Sequence, residues 1–194
     1  GLVMCTGHCG SNPSMIRTII IWIIVERSII FLQKNGVGAD VLSYDADWSA
    51  YKLIILPGAF LLKEAHREKL KAYVKNGGHL AATFLTGAKN GDNVGYTQSL
   101  PAGMQDVFGV TVQEVEPIFA DNVATVRISV NGHEWESKDS DWCDLLEGTA
   151  HMIGTYADTY KKGCERDIRK QLWKRNGILY RNRAGTGCIW SAAS

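Results

Sequence analysis

Apolar residues come in short continuous runs through the first half of the chain and alternate with polar residues through much of the second. Gly1 to Thr6 (GLVMCT) reads as a short first strand, followed by the turn-rich stretch Gly7 to Ser14. Ser14 is a good acceptor for the unpaired N–H groups of a helix start, so a helix is expected from Met15 to about Lys34, stopped by Asn35-Gly36. Its early part, IIIWIIV at Ile19 to Val25, is apolar all round, which suits a helix held between a sheet and a second cover, or else a strand. Ala39 to Ser43 and Lys52 to Leu56 are apolar runs of strand length. The second, closed by Pro57-Gly58, is continuous enough for a strand covered on both faces. Tyr44 to Trp48 (YDADW) lies between them as a loop. Lys63 to Lys75 is the clearest helix, with Ala65, Leu70, Tyr73 and Val74 as its apolar stripe and Asn76-Gly77-Gly78 as its stop. His79 to Leu85 (HLAATFL) reads as the next strand. Strand, helix and strand at this spacing form a βαβ unit and predict a parallel sheet.

After Thr86 the texture changes. Lys89 to Gly103 is rich in Gly, Asn and Ser and reads as a long surface loop, with a short helix around Met104 to Phe108 after it. Val110 to Val115 and Val123 to Val130 alternate as strands do, and Asn131-Gly132 is a turn signal that puts His133 in a turn. Ala150 to Tyr156, Ile178 to Asn182 and Cys188 to Ser191 are further strands, and residues 160 to 176 read as a polar, basic, helical insert.

Length and composition narrow the class without deciding the function. At 194 residues, 45% of them apolar, the chain can bury one good-sized core. A net charge of +1 gives no whole-chain reason to expect nucleic acid or an anionic membrane. The run at Ile19 to Val25 is flanked by Arg17 on one side and Glu26 and Arg27 on the other, too short a stretch for the roughly 20 apolar residues of a membrane span. No signal-peptide pattern surrounds it. Five scattered cysteines (Cys5, Cys9, Cys143, Cys164, Cys188) fit free thiols in a reducing, cytoplasmic setting better than a disulfide framework.

Three stretches, in this order, carry a resemblance. They are ADVLSYDADWSAYKLIILPGAFLL (39 to 62) with YVKNGGHLAATFLTG (73 to 87), then LPAGMQDVFGVTVQEVEPI (100 to 118), then WCDLLEGTAHMIGTYADTYKKG (142 to 163) with RNRAGTGCIW (181 to 190). Together they resemble the middle, trimerisation domain of family 42 β-galactosidases, over roughly residues 28 to 192. The resemblance implies a fold like that of class I glutamine amidotransferases. The fold class expected is therefore α/β, a flavodoxin-like three-layer sandwich with a mostly parallel sheet and a β-rich, irregular second half. It also implies a homotrimer-forming module beside a catalytic barrel that this chain is too short to contain, since such barrels run to about 250 residues. The β-galactosides would belong to that parent enzyme. Residues 1–27 match poorly and read as a divergent N-terminal segment; residues 28–194 form the amidotransferase-like domain, with an insert at 164–177. Leu85-Thr86 stands where an Arg-Ser pair is common in the family.

Candidate chemistry is sparse. Amidotransferase-like enzymes place a Cys nucleophile at the turn after the strand that follows the Gly-Gly stop. Here that neighbourhood is Ala82 to Gly87, with Thr83 and Thr86 but no Cys or Ser, and an unactivated Thr is a poor nucleophile without a positioned base. Cys5, His8 and Cys9 supply two or three metal ligands where a structural zinc site takes four, and no second pair exists. Nine basic residues between Lys161 and Arg183, with Trp173 among them, fit a solvated face or an acidic partner more simply than nucleic acid. The acidic pairs Asp45/Asp47, Glu114/Glu116, Glu134/Glu136 and Asp139/Asp141 read as surface solvation, although a glycosidase needs two carboxyls across a sugar site. Trp48, Trp135, Trp142 and Trp190 read as core or interface residues ahead of sugar platforms. No catalytic residue, metal or cofactor is assigned. The expectation is an architectural domain, with a stand-alone amidotransferase-like hydrolase or a sugar- or protein-binding module as the alternatives.

Overall fold

The computed structural model describes residues 2–5, 25–26, 28–30, 32–83, 85–117, 124–130, 132–139, 142–156, 171–175 and 177–179. Its first half follows the continuous apolar runs. Strands β1 (Leu2–Cys5), β2 (Ala39–Leu42), β3 (Leu53–Leu56) and β4 (His79–Ala82) are parallel. β1 pairs with both β2 and β3, in register from Leu2 opposite Ala39 and Leu53, and β4 joins β3 with Leu53 opposite His79. The βαβ unit is present: helix α1 (Glu64–Lys75) links β3 to β4. Glu64 in its first turn and Lys75 in its last complement the helix dipole. At its end, the amides of Asn76, Gly77 and Gly78 return to carbonyls of the last turns.

β3 is covered on both faces, as its composition predicts. Ile54 and Leu56 enter a core with Leu70 of α1, Leu80 and Ala82 of β4, and Met104, Phe108 and Val110 further on. Ile55 enters a second cluster with Val25 and Leu32, and Leu53 packs against it. Those last two core residues come from the segment with helical residues at 25–26, 28–30 and 32–34; the rest of the helix expected from Met15, and its Ser14 cap, lie outside the described residues. Fully burying such a side chain contributes about 1.5–3 kcal/mol. Leu70→Ala would open a cavity in the main core at a cost of about 2–5 kcal/mol.

Helix α2 (Gln105–Phe108) ends on Gly109, and β5 (Val110–Pro117) pairs antiparallel with β8 (Trp142–Gly148) as a separate two-stranded sheet. The remaining strands are β6 (Ala124–Val130), β7 (His133–Asp139), β9 (His151–Tyr156), β10 (Gln171–Arg175) and β11 (Gly177–Leu179). They extend the first sheet to nine strands in the order β2-β1-β3-β4-β11-β10-β9-β6-β7. The sheet is parallel from β2 to β11 and antiparallel from β11 to β7. The expectation of a mostly parallel sheet therefore holds for its first half only.

Four expectations are corrected. Within the stretch 160–176 read as helical, Gln171–Arg175 is a strand: it fills the place between β9 and β11, where either neighbour would otherwise leave backbone groups unpaired. The other residues of that stretch lie outside the described ones, as does Cys188 to Ser191. His133 is the first residue of β7 and not part of the turn, because the Val130–His133 pair closes a two-residue hairpin whose Gly132 sits at φ 78°. Strands β7 and β8 were not anticipated at all. Ala65 is exposed, while Arg67 is buried on the core side of α1.

Candidate functional site

The turn after β4, where the amidotransferase resemblance would place a nucleophile, has a special backbone. Leu85 sits in the left-handed region at φ 55°, followed by Thr86 and by Gly87 at φ 68°. A leucine there costs about 1–2 kcal/mol in local strain, so surrounding bonds must hold it. They do. The Gly87 amide donates to Ala59 O at 2.8 Å, and the Thr86 hydroxyl donates to Thr83 O at 2.7 Å. The Thr83 amide donates to Leu56 O at 3.1 Å, continuing the β3–β4 ladder.

The chemistry of the turn is used up in its own construction. Thr83 Oγ1 accepts from the Gly58 amide at 2.6 Å and contacts Leu56 O at 3.4 Å. Thr86 is 2% exposed. Both hydroxyls are thus bonded to main chain, and the residue at the apex has an alkyl side chain. A nucleophile needs a base within hydrogen-bond reach. Among the described residues neither threonine hydroxyl has a histidine partner. His151 begins β9 as expected, His133 is exposed on β7, and His8, Cys9 and Cys188 lie outside the described residues.

His66 is committed elsewhere. Its ring stacks on Tyr44 with centroids 4.5 Å apart and planes 14° from parallel, and its Nε2 lies 3.7 Å from Asp45 Oδ1, too long for a hydrogen bond. Burial pushes the imidazole below its ordinary pKa, and the nearby Asp45 carboxylate offsets this only partly. From the same helix, α1, Lys69 Nζ donates to Tyr44 O at 2.7 Å and Ala46 O at 2.5 Å, and rests 4.0 Å from the centre of the Trp48 ring. Trp48 is buried in the main core. YDADW is therefore a clasp across α1, held by one cation and two ring contacts.

The acidic pairs stay apart by element. Asp45 and Asp47 are in the clasp, where two hydrogen bonds from Ser49 lower the pKa of Asp47. Glu114 and Glu116 are on β5, and Glu134 and Glu136 on β7, with Glu136 paired to Arg127 at 2.7 Å. Asp139 ends β7, and Asp141 lies outside the described residues.

One arrangement was missed from sequence. Arg67, 6% exposed, donates through Nη1 to Ala102 O at 2.9 Å, ion-pairs with Glu64, and lies 4.5 Å from the centre of the Tyr96 ring. The Tyr96 hydroxyl in turn donates to Leu62 O at 3.0 Å. Arg67 thus pins the 88–103 loop to α1. Between that loop and β5 lies an open cleft of about 330 Å³, lined by residues 96–100 and 112–115 together with Ala88. Spacing was the available signal: Arg67, Leu70 and Val74 recur at helical intervals of three and four.

Comparison with known proteins agrees with this architecture. A family model described as the β-galactosidase trimerisation domain matches residues 31–191. β-Galactosidase BgaA of Clostridium cellulovorans is 33% identical over 150 residues, covering 77% of this chain and 22% of the relative. β-Galactosidase BgaP of a Planococcus species is 27% identical over 163 residues, covering 84% of this chain and 23% of the relative. The chain thus spans less than a quarter of the length of these relatives. The solved β-galactosidase of Bacillus circulans sp. alkalophilus shares the fold, with a TM-score of 0.75 at 20% identity over 91% of this chain and 28% of that one. With most of its length matched by that model, the chain belongs to the β-galactosidase trimerisation domain family.

Proposed function

We propose that this chain is the non-catalytic, trimer-forming part of a β-galactosidase-type glycoside hydrolase. It assembles subunits as a homotrimer in the cytoplasm and helps wall the substrate cleft of a neighbouring catalytic barrel. Residues 28–194 supply the amidotransferase-like domain, with 164–177 inserted and 1–27 divergent. The strand order β2-β1-β3-β4, continued by β11, supports a flavodoxin-like sandwich. Core clusters on both faces of β3 support its three layers.

One observation carries the non-catalytic reading. The turn after β4 presents Leu85 at its apex, and the hydroxyls of Thr83 and Thr86 are bonded to main chain. Electrophilic chemistry has no activated group to meet there. The test is turnover of an aryl β-galactoside by the pure chain, together with labelling by an electrophilic probe. No turnover above the blank and no stoichiometric adduct are expected. Turnover, or an adduct that disappears in Thr83→Ala or Cys188→Ala, would establish a stand-alone hydrolase instead.

A further inference from the structure

The cleft between the 96–100 segment and β5 is built by an irregular strand on one side and a braced segment on the other. Its wall contains a β-bulge: Val112 faces Leu146 and Glu114 faces Leu145, so Gln113 has no partner across the pair. Bulges of this kind re-aim side chains and recur beside binding sites. The opposite wall is fixed in advance. The Tyr96 hydroxyl is held by Leu62 O and its ring by the Arg67 guanidinium, while Gln105 Nε2 donates to Ser99 O at 2.6 Å. The two walls are tied by the Val112 amide, which donates to Leu100 O at 2.7 Å. A preorganised wall spares a ligand the ordering cost of binding.

The chemistry of the lining selects a class of ligand. Thr97, Gln98, Ser99, Gln113 and Glu114 offer hydroxyls, primary amides and one carboxylate, and among the described residues none of these side-chain groups is taken up by another residue. Among the described residues the lining holds no Lys or Arg, which disfavours phosphates and other anions. Among the described residues it has a single carboxylate, too few hard ligands for a divalent cation. Its polar character disfavours a lipid or an aromatic ligand. Primary amides, which both donate and accept, and a carboxylate, which accepts, fit the hydroxyls of a polyhydroxylated ligand. At about 330 Å³ the open cleft lies at the low end of small-molecule sites.

We propose that this cleft is a non-catalytic saccharide-binding site on the trimerisation domain, with Gln98, Gln113 and Glu114 as its hydrogen-bonding residues. The site is separate from the turn after β4, and the proposal rests on the lining of the cleft and not on the assembly proposed above. The test is a heteronuclear NMR titration of the full chain with galactose, with lactose and, as an anion control, with inorganic phosphate. The sugars should give saturable shifts at the amides of residues 96–100 and 112–115, and phosphate none. Gln98→Ala and Gln113→Ala, both at exposed positions, should each weaken the apparent affinity roughly two- to tenfold for one lost hydrogen bond, with the rest of the spectrum unchanged. Three results would overturn the proposal: no saturable shift with either sugar, shifts that persist unaltered in the double variant, or shifts at these amides that track protein concentration alone. The last would assign the cleft to a neighbouring copy of the chain.

Discussion

The amide of Gly58 donates to the hydroxyl oxygen of Thr83 at 2.6 Å, joining the turn after β3 to the end of β4. That bond commits the Gly58 amide to the scaffold. Thr83→Val keeps the shape of the side chain but leaves the Gly58 amide without its acceptor. It should destabilise the domain by about 1–3 kcal/mol, read as a lower urea midpoint, whereas Thr83→Ser should stay close to the parent. Equal midpoints for all three would show that the bond contributes nothing.

Arg67 should be the polar residue of α1 whose loss is felt most. Arg67→Ala removes buried packing and leaves Ala102 O unsatisfied, for an expected cost of about 2–3 kcal/mol in chemical denaturation. Glu64→Gln should cost under about 1 kcal/mol, because the Glu64 side chain is 70% exposed. Gly103→Ala tests the same joint from the other side. Gly103 lies at φ 70°, and an added methyl would stand 2.5 Å from Arg67 Nη1, so this variant should also unfold at lower denaturant.

These two joints show what was legible in the sequence. The runs LIIL of β3 and HLAA of β4, with α1 between them, announce themselves because a strand covered on both faces has no polar positions to confuse its pattern. The missing nucleophile at Ala82 to Gly87 was equally plain, since it is a matter of residue type. That Leu85 adopts a left-handed conformation was not, because leucine's own preference is against it and tertiary bonds impose it. Ala65 was misplaced by type: at 100° per residue it lies about 140° round the helix from Leu70, whereas Arg67 lies within about 60°. Strand β7 (HEWESKD) carries charge at an edge, so its identity comes from pairing with β6 and not from its own pattern. β10 (QLWKR) is an interior strand whose basic residues resemble a solvated helix face; its identity too comes from pairing, with β9 and β11.

The Tyr44–His66 stack makes stability depend on pH in a definite direction. The folded state holds His66 below its ordinary value of 6.5, chiefly through burial, while the unfolded chain protonates at that value. The unfolded state therefore binds more protons as the pH falls below 6.5, and the contribution of neutral His66, complete above that pH, is lost on acidification. Asp45 opposes this shift and Lys63 and Lys69 reinforce it. Urea midpoints measured over about pH 5 to 8 should fall more steeply toward acid in the parent than in His66→Phe, which keeps a ring against Tyr44. Parallel profiles would place the titration elsewhere.

Assembly is the central claim, and the solution mass of the purified chain tests it most directly. Light scattering over a concentration series should give the mass of three chains, held constant as the protein is diluted well below the loading concentration. A monomer at every concentration would contradict the account: the fold and the family would stand, but trimer formation could not be a property of this domain by itself.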